Sequence, residues 1–161
     1  MGAAVDHNLK LLNEVFEQER SHAPLLTSVH DLTAAQAAWK PSPERNSIWK
    51  IVNHVSLWKE YSARRMAGEP PRPFGWAKEV DWQEILEVTE EAWRASVQRL
   101  RHAHAAVKAE LAKRSDDDLE RPLPGGRYPL YRIQSVAVHN AYHVGQIRYI
   151  RALQGVPTAP Y

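Results

Sequence analysis

The sequence predicts an all-α protein, folded as a four-helix bundle. Four long segments repeat apolar residues at helical spacing, proline and glycine clusters separate them, and no stretch alternates as a strand would. At 161 residues the chain suffices for one sizeable core but is short for two, so residues 1–161 read as a single helical-bundle domain.

The first helix is expected from about Val5 to Arg20, with Val5, Leu9, Leu12 and Phe16 on one face and Pro24 beyond it. Thr33-Ala34-Ala35-Gln36 is a capping box that opens a turn or two of helix through Trp39, and Pro41 and Pro43 stop it. The second long helix begins near Asn46 or Ser47 and reaches about Ala67. Its stripe is Ile48, Ile51, Val52, Val55 and Trp58, and Gly68, Pro70, Pro71 and Pro73 follow it.

Asp81 with Glu84 makes another capping box, from which a third helix should extend towards Lys113. Its stripe is Ile85, Leu86, Thr89, Trp93, Val97, Leu100, Val107 and Leu111. Ser115 to Leu119 reads as a short helical turn. A loop holding Pro122, Pro124, Gly125 and Gly126 leads into the fourth helix, roughly Arg132 to Gln154, which Gly155 and Pro157 end. The loops after the second and third helices, about a dozen residues each, exceed ordinary bundle turns, and loops of that length often cover a site.

Composition narrows the function classes. A net charge of +2 with no Lys/Arg run gives no nucleic-acid footprint. The absence of cysteine excludes disulfides and thiolate metal sites, so any thiol chemistry needs an external thiol. Met1 to His7 does not resemble a secretory signal, and no apolar run is long enough to span a bilayer. The expectation is a cytoplasmic, soluble protein.

His139 and His143 lie four apart on the fourth helix, so both imidazoles leave one face, a turn apart. One heptad seam there runs Val136, His143, Ile150, and the other runs His139, Gln146, Leu153. With aliphatic residues at the remaining positions, both seams should point into the core. Buried imidazoles need partners, and a divalent metal suits a pair of them. His54 is the best third ligand, on a second-helix face with Ile51, Trp58 and Tyr61 that borders the apolar stripe. Three neutral nitrogens would leave coordination positions open, as in catalytic sites. The competing reading is that these are core histidines satisfied by backbone carbonyls or by each other.

Other residues carry weaker signals. Gln146, a turn past His143, could orient a ligand or fill an apolar gap, and Gly145 suggests close approach of another helix. His104 sits on the third helix's stripe as a core histidine or a fourth ligand, whereas His7, His22, His30 and His102 read as surface residues. Trp49, Trp58 and Trp93 are assigned to packing; Trp76 and Trp82 could line a pocket mouth or a dimer interface. Arg127, Tyr128 and Tyr131 could meet an anionic substrate or form a solvated loop. No Asp or Glu is visible on the ligand faces: Glu60 points away from His54, and Tyr61 and Tyr142 are the proton-transfer candidates. No catalytic residue is assigned.

The run His139-Asn140-Ala141-Tyr142-His143-Val144-Gly145-Gln146-Ile147 resembles the H-x-x-x-H-x-G-Q-[IL] signature of the DinB-like (YfiT-type, damage-inducible) family. Leu153-Gln154-Gly155-Val156-Pro157 resembles that family's helix exit, and Ser47-Ile48-Trp49 through His54 its second helix. The resemblance covers about Val5 to Pro157. It implies a four-helix bundle, often a homodimer, holding one divalent metal on His54, His139 and His143. It also implies a small-molecule substrate and either of two activities, a bacillithiol- or mycothiol-type S-transferase or a hydrolase using a metal-activated water or thiol. Three imidazoles suit zinc or nickel first, with copper or iron also feasible. The alternative is a non-catalytic, stress-associated bundle that senses metal or binds a protein partner.

Overall fold

The computed structural model describes residues 2–18 and 23–157. Seven α-helices and one 3-10 turn are found among them: α1 (Ala3–Phe16), α2 (Leu25–Val29), α3 (Ala34–Ala38), α4 (Ile48–Met66), α5 (Ala77–Val80), α6 (Glu90–Ala112), the 3-10 turn Asp117–Glu120, and α7 (Pro129–Leu153). No strand occurs among the described residues. The four long helices form the bundle. α4 packs on α6 and α7, and α1 packs on the same two, so α6 and α7 meet only slightly across the middle. No helix is long and apolar enough to cross a membrane.

Local chemistry explains most boundaries. Ser47 caps α4 by accepting from the Lys50 N–H, and the Thr33/Gln36 capping box opens α3. Pro129 in the first turn starts α7 earlier than Arg132, because its missing N–H costs nothing there. The apolar stripe of α1 ends at Phe16, so the helix stops short of Arg20; Arg20 and His22 lie outside the described residues.

One boundary departs strongly from expectation. The third long helix opens not at Asp81 but at Glu90, capped by the Thr89 hydroxyl, which accepts from the Ala92 N–H. Asp81 and Glu84 do not form a capping box. Glu84 instead pairs with Lys40 and Lys50 at 2.8 Å each, and Asp81 turns towards α4. Tertiary partners outweigh the local capping preference. The segment between is extended, leaving Leu86 95% exposed although its spacing marked it as core.

Two apolar clusters fill the bundle. One gathers Phe16, Leu25, Trp49, Val52, Val55, Trp93, Leu100, Val144 and Ile147; the other gathers Val5, Leu12, Met66, Val107, Leu111, Ile133 and Val136. Each buried aliphatic side chain contributes about 1.5–3 kcal/mol. Between the clusters, at the waist, three of the long helices insert polar groups: His54 and Lys59 on α4, His104 on α6, Asn140 and His143 on α7, all buried. Fully buried Arg65 pairs with no carboxylate among the described residues: it donates to the carbonyls of Glu69 and Pro124, tying together the loops that follow α4 and precede α7, while its Nε finds no acceptor.

Candidate metal centre

α4 and α7 run side by side, and at the waist they bring His54, His139 and His143 together. The Nε2 atom of His139 lies 3.0 Å from Nε2 of His54 and 3.0 Å from Nε2 of His143. One ring nitrogen from each lies within 4.8 Å of the other two. Tetrahedral zinc with nitrogen ligands at 2.0–2.1 Å separates those nitrogens by about 3.3 Å, so the cluster has the size of a metal site.

The opposite ring nitrogens decide which atoms are free. His54 Nδ1–H donates to the Asp81 carboxylate, 2.8 Å from Oδ2 and 2.9 Å from Oδ1. His143 Nδ1–H donates to Gln146 Oε1 at 2.7 Å. With Nδ1 protonated on both rings, each Nε2 carries a lone pair aimed at the shared centre. A proton on His139 Nε2 could serve only one of these two lone pairs, both 3.0 Å away, whereas a single cation serves all three nitrogens, so this donor set fits a divalent metal.

The electrostatics agree with neutral imidazoles. Burial pushes His139 down to about 3, with His143 and His54 adding to the shift, and His143 down to about 4. Burial also lowers His54, against the opposing pull of Asp81. All three are therefore uncharged near neutrality, the form in which imidazole ligates.

Asp81 is the residue that the sequence pattern missed. It is only 27 positions from His54 but on a different element, and it carries no periodic signal. Its carboxylate also accepts from Trp58 Nε1 at 2.9 Å and from the Trp82 backbone N–H at 2.9 Å. The next residue, Trp82, adopts a left-handed backbone (φ 57) and stacks on His54 with ring centroids 4.0 Å apart. Such a conformation costs a bulky residue about 1–3 kcal/mol and persists where surrounding contacts over-determine it. Here those contacts are the Asp81 turn and the imidazole face. The long loop after α4 does cover the site, as its length suggested.

Two further expectations change, those for the second seam and for Gly145, while His104 takes the core role expected of it. The seam of His139, Gln146 and Leu153 does not enter the core: it borders an open cavity of about 820 Å³, and Leu153 is 49% exposed. That cavity is lined by all three histidines together with Glu44, Trp82 and Tyr142. Gly145 faces open space rather than a neighbouring helix of this chain. His104 is a core residue outside the cluster, stacked on Phe16 at 3.8 Å and accepting at Nδ1 from Lys59 Nζ at 3.1 Å. Trp49 and Trp93 pack as expected, with their indole N–H groups bonded to Ser96 Oγ and the Leu32 carbonyl.

The model of the DinB superfamily matches residues 17–147 of this chain. The chain belongs to the DinB superfamily. Among solved structures, this DinB chain is similar to YfiT from Bacillus subtilis, described as a probable metal-dependent hydrolase with an unusual four-helix bundle topology. The TM-score is 0.72 at 17% identity, covering 98% of this chain and 91% of that one. A conserved protein from Enterococcus faecalis is also similar, with a TM-score of 0.63 at 16% identity over 95% of this chain and 97% of that one. At these identities the likeness establishes the shared fold. No curated protein matches the chain.

Proposed function

We propose that this DinB protein is a metal-dependent enzyme that activates a water or a small thiol for nucleophilic attack, as a hydrolase or a thiol S-transferase. The observation that carries this is the convergence of three Nε2 atoms, with Nδ1 of His54 and His143 committed elsewhere, beside an open cavity large enough for a small molecule. His54, His139 and His143 would hold one divalent ion, zinc or nickel. Bound there, it would bring the pKa of a water or thiol near 7.

The chain's own groups do the rest. Asp81 and Gln146 hold two imidazoles in the ligating tautomer. Trp82 shields one face of His54, and Tyr142, a proton-transfer candidate named by the sequence, lines the cavity with its ring against His143. A low-molecular-weight thiol as co-substrate suits a chain without cysteine, and the same composition suits a cytoplasmic setting.

The reading includes a homodimer. α7 presents an exposed apolar row of Tyr131, Val138, Tyr142 and Tyr149, spaced as a helix-packing stripe around the bare backbone of Gly145. Elemental analysis of purified protein beside His143→Ala, followed by turnover assays with bacillithiol, mycothiol, glutathione and simple esters, tests the function. Wild-type protein should carry about one ion per chain and the variant far less. Full occupancy in the variant would remove the ligand assignment, and tight metal binding without turnover would leave a metal-binding bundle.

A further inference from the structure

A second cavity, of about 510 Å³, lies between α4, the loop before α5 and the first half of α7, and His139 lines both cavities. Three arginines border it, Arg72, Arg127 and Arg132, and none of the residues lining it is Asp or Glu. Some cations elsewhere find carboxylates, as in Arg99 with Glu60 and Arg121 with Asp118. Among the described residues these three have no such partner.

Their placement is organised rather than scattered. The Arg132 guanidinium sits over the Tyr61 ring at 5.3 Å, and that of Arg127 over the Tyr131 ring at 4.8 Å. Stacking of this kind fixes the plane of the fork and leaves its N–H edges available. Arg132 Nε is buried with no acceptor in the protein. Lys59 lies behind the wall, 1% exposed, with its Nζ turned into the core towards His104 Nδ1 and the Phe16 ring. Flat apolar faces complete the wall. Trp76 packs against Trp58 and Tyr61, and Phe74 stands fully exposed at the rim.

We propose that this cleft binds the anionic end of a ligand, a carboxylate or phosphate carried on a flat apolar body. Guanidinium forks match the paired oxygens of either anion, and a charge-assisted hydrogen bond is about twice as strong as a neutral one. The anion relieves the mutual repulsion of uncompensated cations, and the aromatic walls take the body that carries it. Because His139 borders the cleft, the bound molecule abuts the histidine cluster, and its role as substrate rests on the metal-enzyme reading above.

The test is calorimetric titration of the full chain with benzoate, phenyl phosphate and benzyl alcohol, before and after chelation. Both anions should bind at least about tenfold more tightly than the alcohol, the equivalent of one charge-assisted contact. Arg127→Gln and Arg132→Gln should each weaken the anions about tenfold and leave metal content unchanged. Arg127 is exposed, so that variant decides the matter if Arg132→Gln unfolds. Equal affinity for benzoate and benzyl alcohol, or anion affinity unaltered in Arg127→Gln, overturns the site. Anion binding in a wild-type protein that takes up no metal would sink the metal-enzyme reading alone.

Discussion

Asp81 Oδ2 accepts the Nδ1 proton of His54 at 2.8 Å, with both side chains nearly excluded from solvent. This contact turns His54 from a core histidine into an oriented donor. A negative oxygen on Nδ1 raises the basicity of Nε2 and holds the ring in one plane.

Asp81→Asn should therefore keep the fold and lower metal affinity by about 10–100-fold, the usual effect of losing a carboxylate behind a ligating imidazole. Competition titration against a metal-chelating dye measures this. Affinity equal to wild type would show that Asp81 serves only the loop and the Trp58 indole.

Acid should destabilise the chelated protein below about pH 6.5. Burial, with Lys59 and Lys108 nearby, pushes His104 down to about 2, while the unfolded chain titrates near 6.5. Between those values the unfolded chain binds a proton that the native state refuses, so stability is lost as pH falls, by up to about 1.4 kcal/mol per unit from this group. His139 and His143, lowered to about 3 and about 4, act in the same direction. Thermal melts of His104→Gln, which keeps an acceptor for Lys59, should show a shallower slope between pH 6.5 and 4.

Lys59 contributes in the alkaline range. Burial lowers it to about 7, against about 10.4 in the unfolded chain. From pH 7 to about 10.4 the unfolded state holds the extra proton, and stability rises with pH across that window. Lys59→Met should flatten this rise, checked by urea midpoints at pH 7 and pH 9. An identical rise in the variant would assign it to another group.

Association through α7 predicts that Val138→Glu or Tyr149→Glu yields monomers, because a charge introduced at the centre of an apolar contact is desolvated there without a partner. Sedimentation velocity of wild type and variants decides between a dimer that dissociates and a chain that is monomeric throughout.

The bundle and half of the histidine cluster are local properties, and the sequence by itself determined them. His139, His143 and Gln146 share one helix, so a period of 3.6 residues sets their common face whatever surrounds them. The helix caps at Ser47 and Thr33 are equally local, needing only a hydroxyl and the next three residues. Which seam would be buried was not local. His139 and Leu153 border a cavity because the adjoining loop leaves that side of α7 open.

Asp81 shows the same limit from the other side. Asp81 and Glu84 have capping-box spacing, yet a buried imidazole, an indole and two lysines offered stronger partners than a helix start. The cationic cleft arises likewise from residues spread between Lys59 and Arg132, joined only when α4 and α7 pack together. Periodicity encodes which face a side chain leaves. Only packing decides what that face meets, because burial and charge pairing depend on segments distant in the chain.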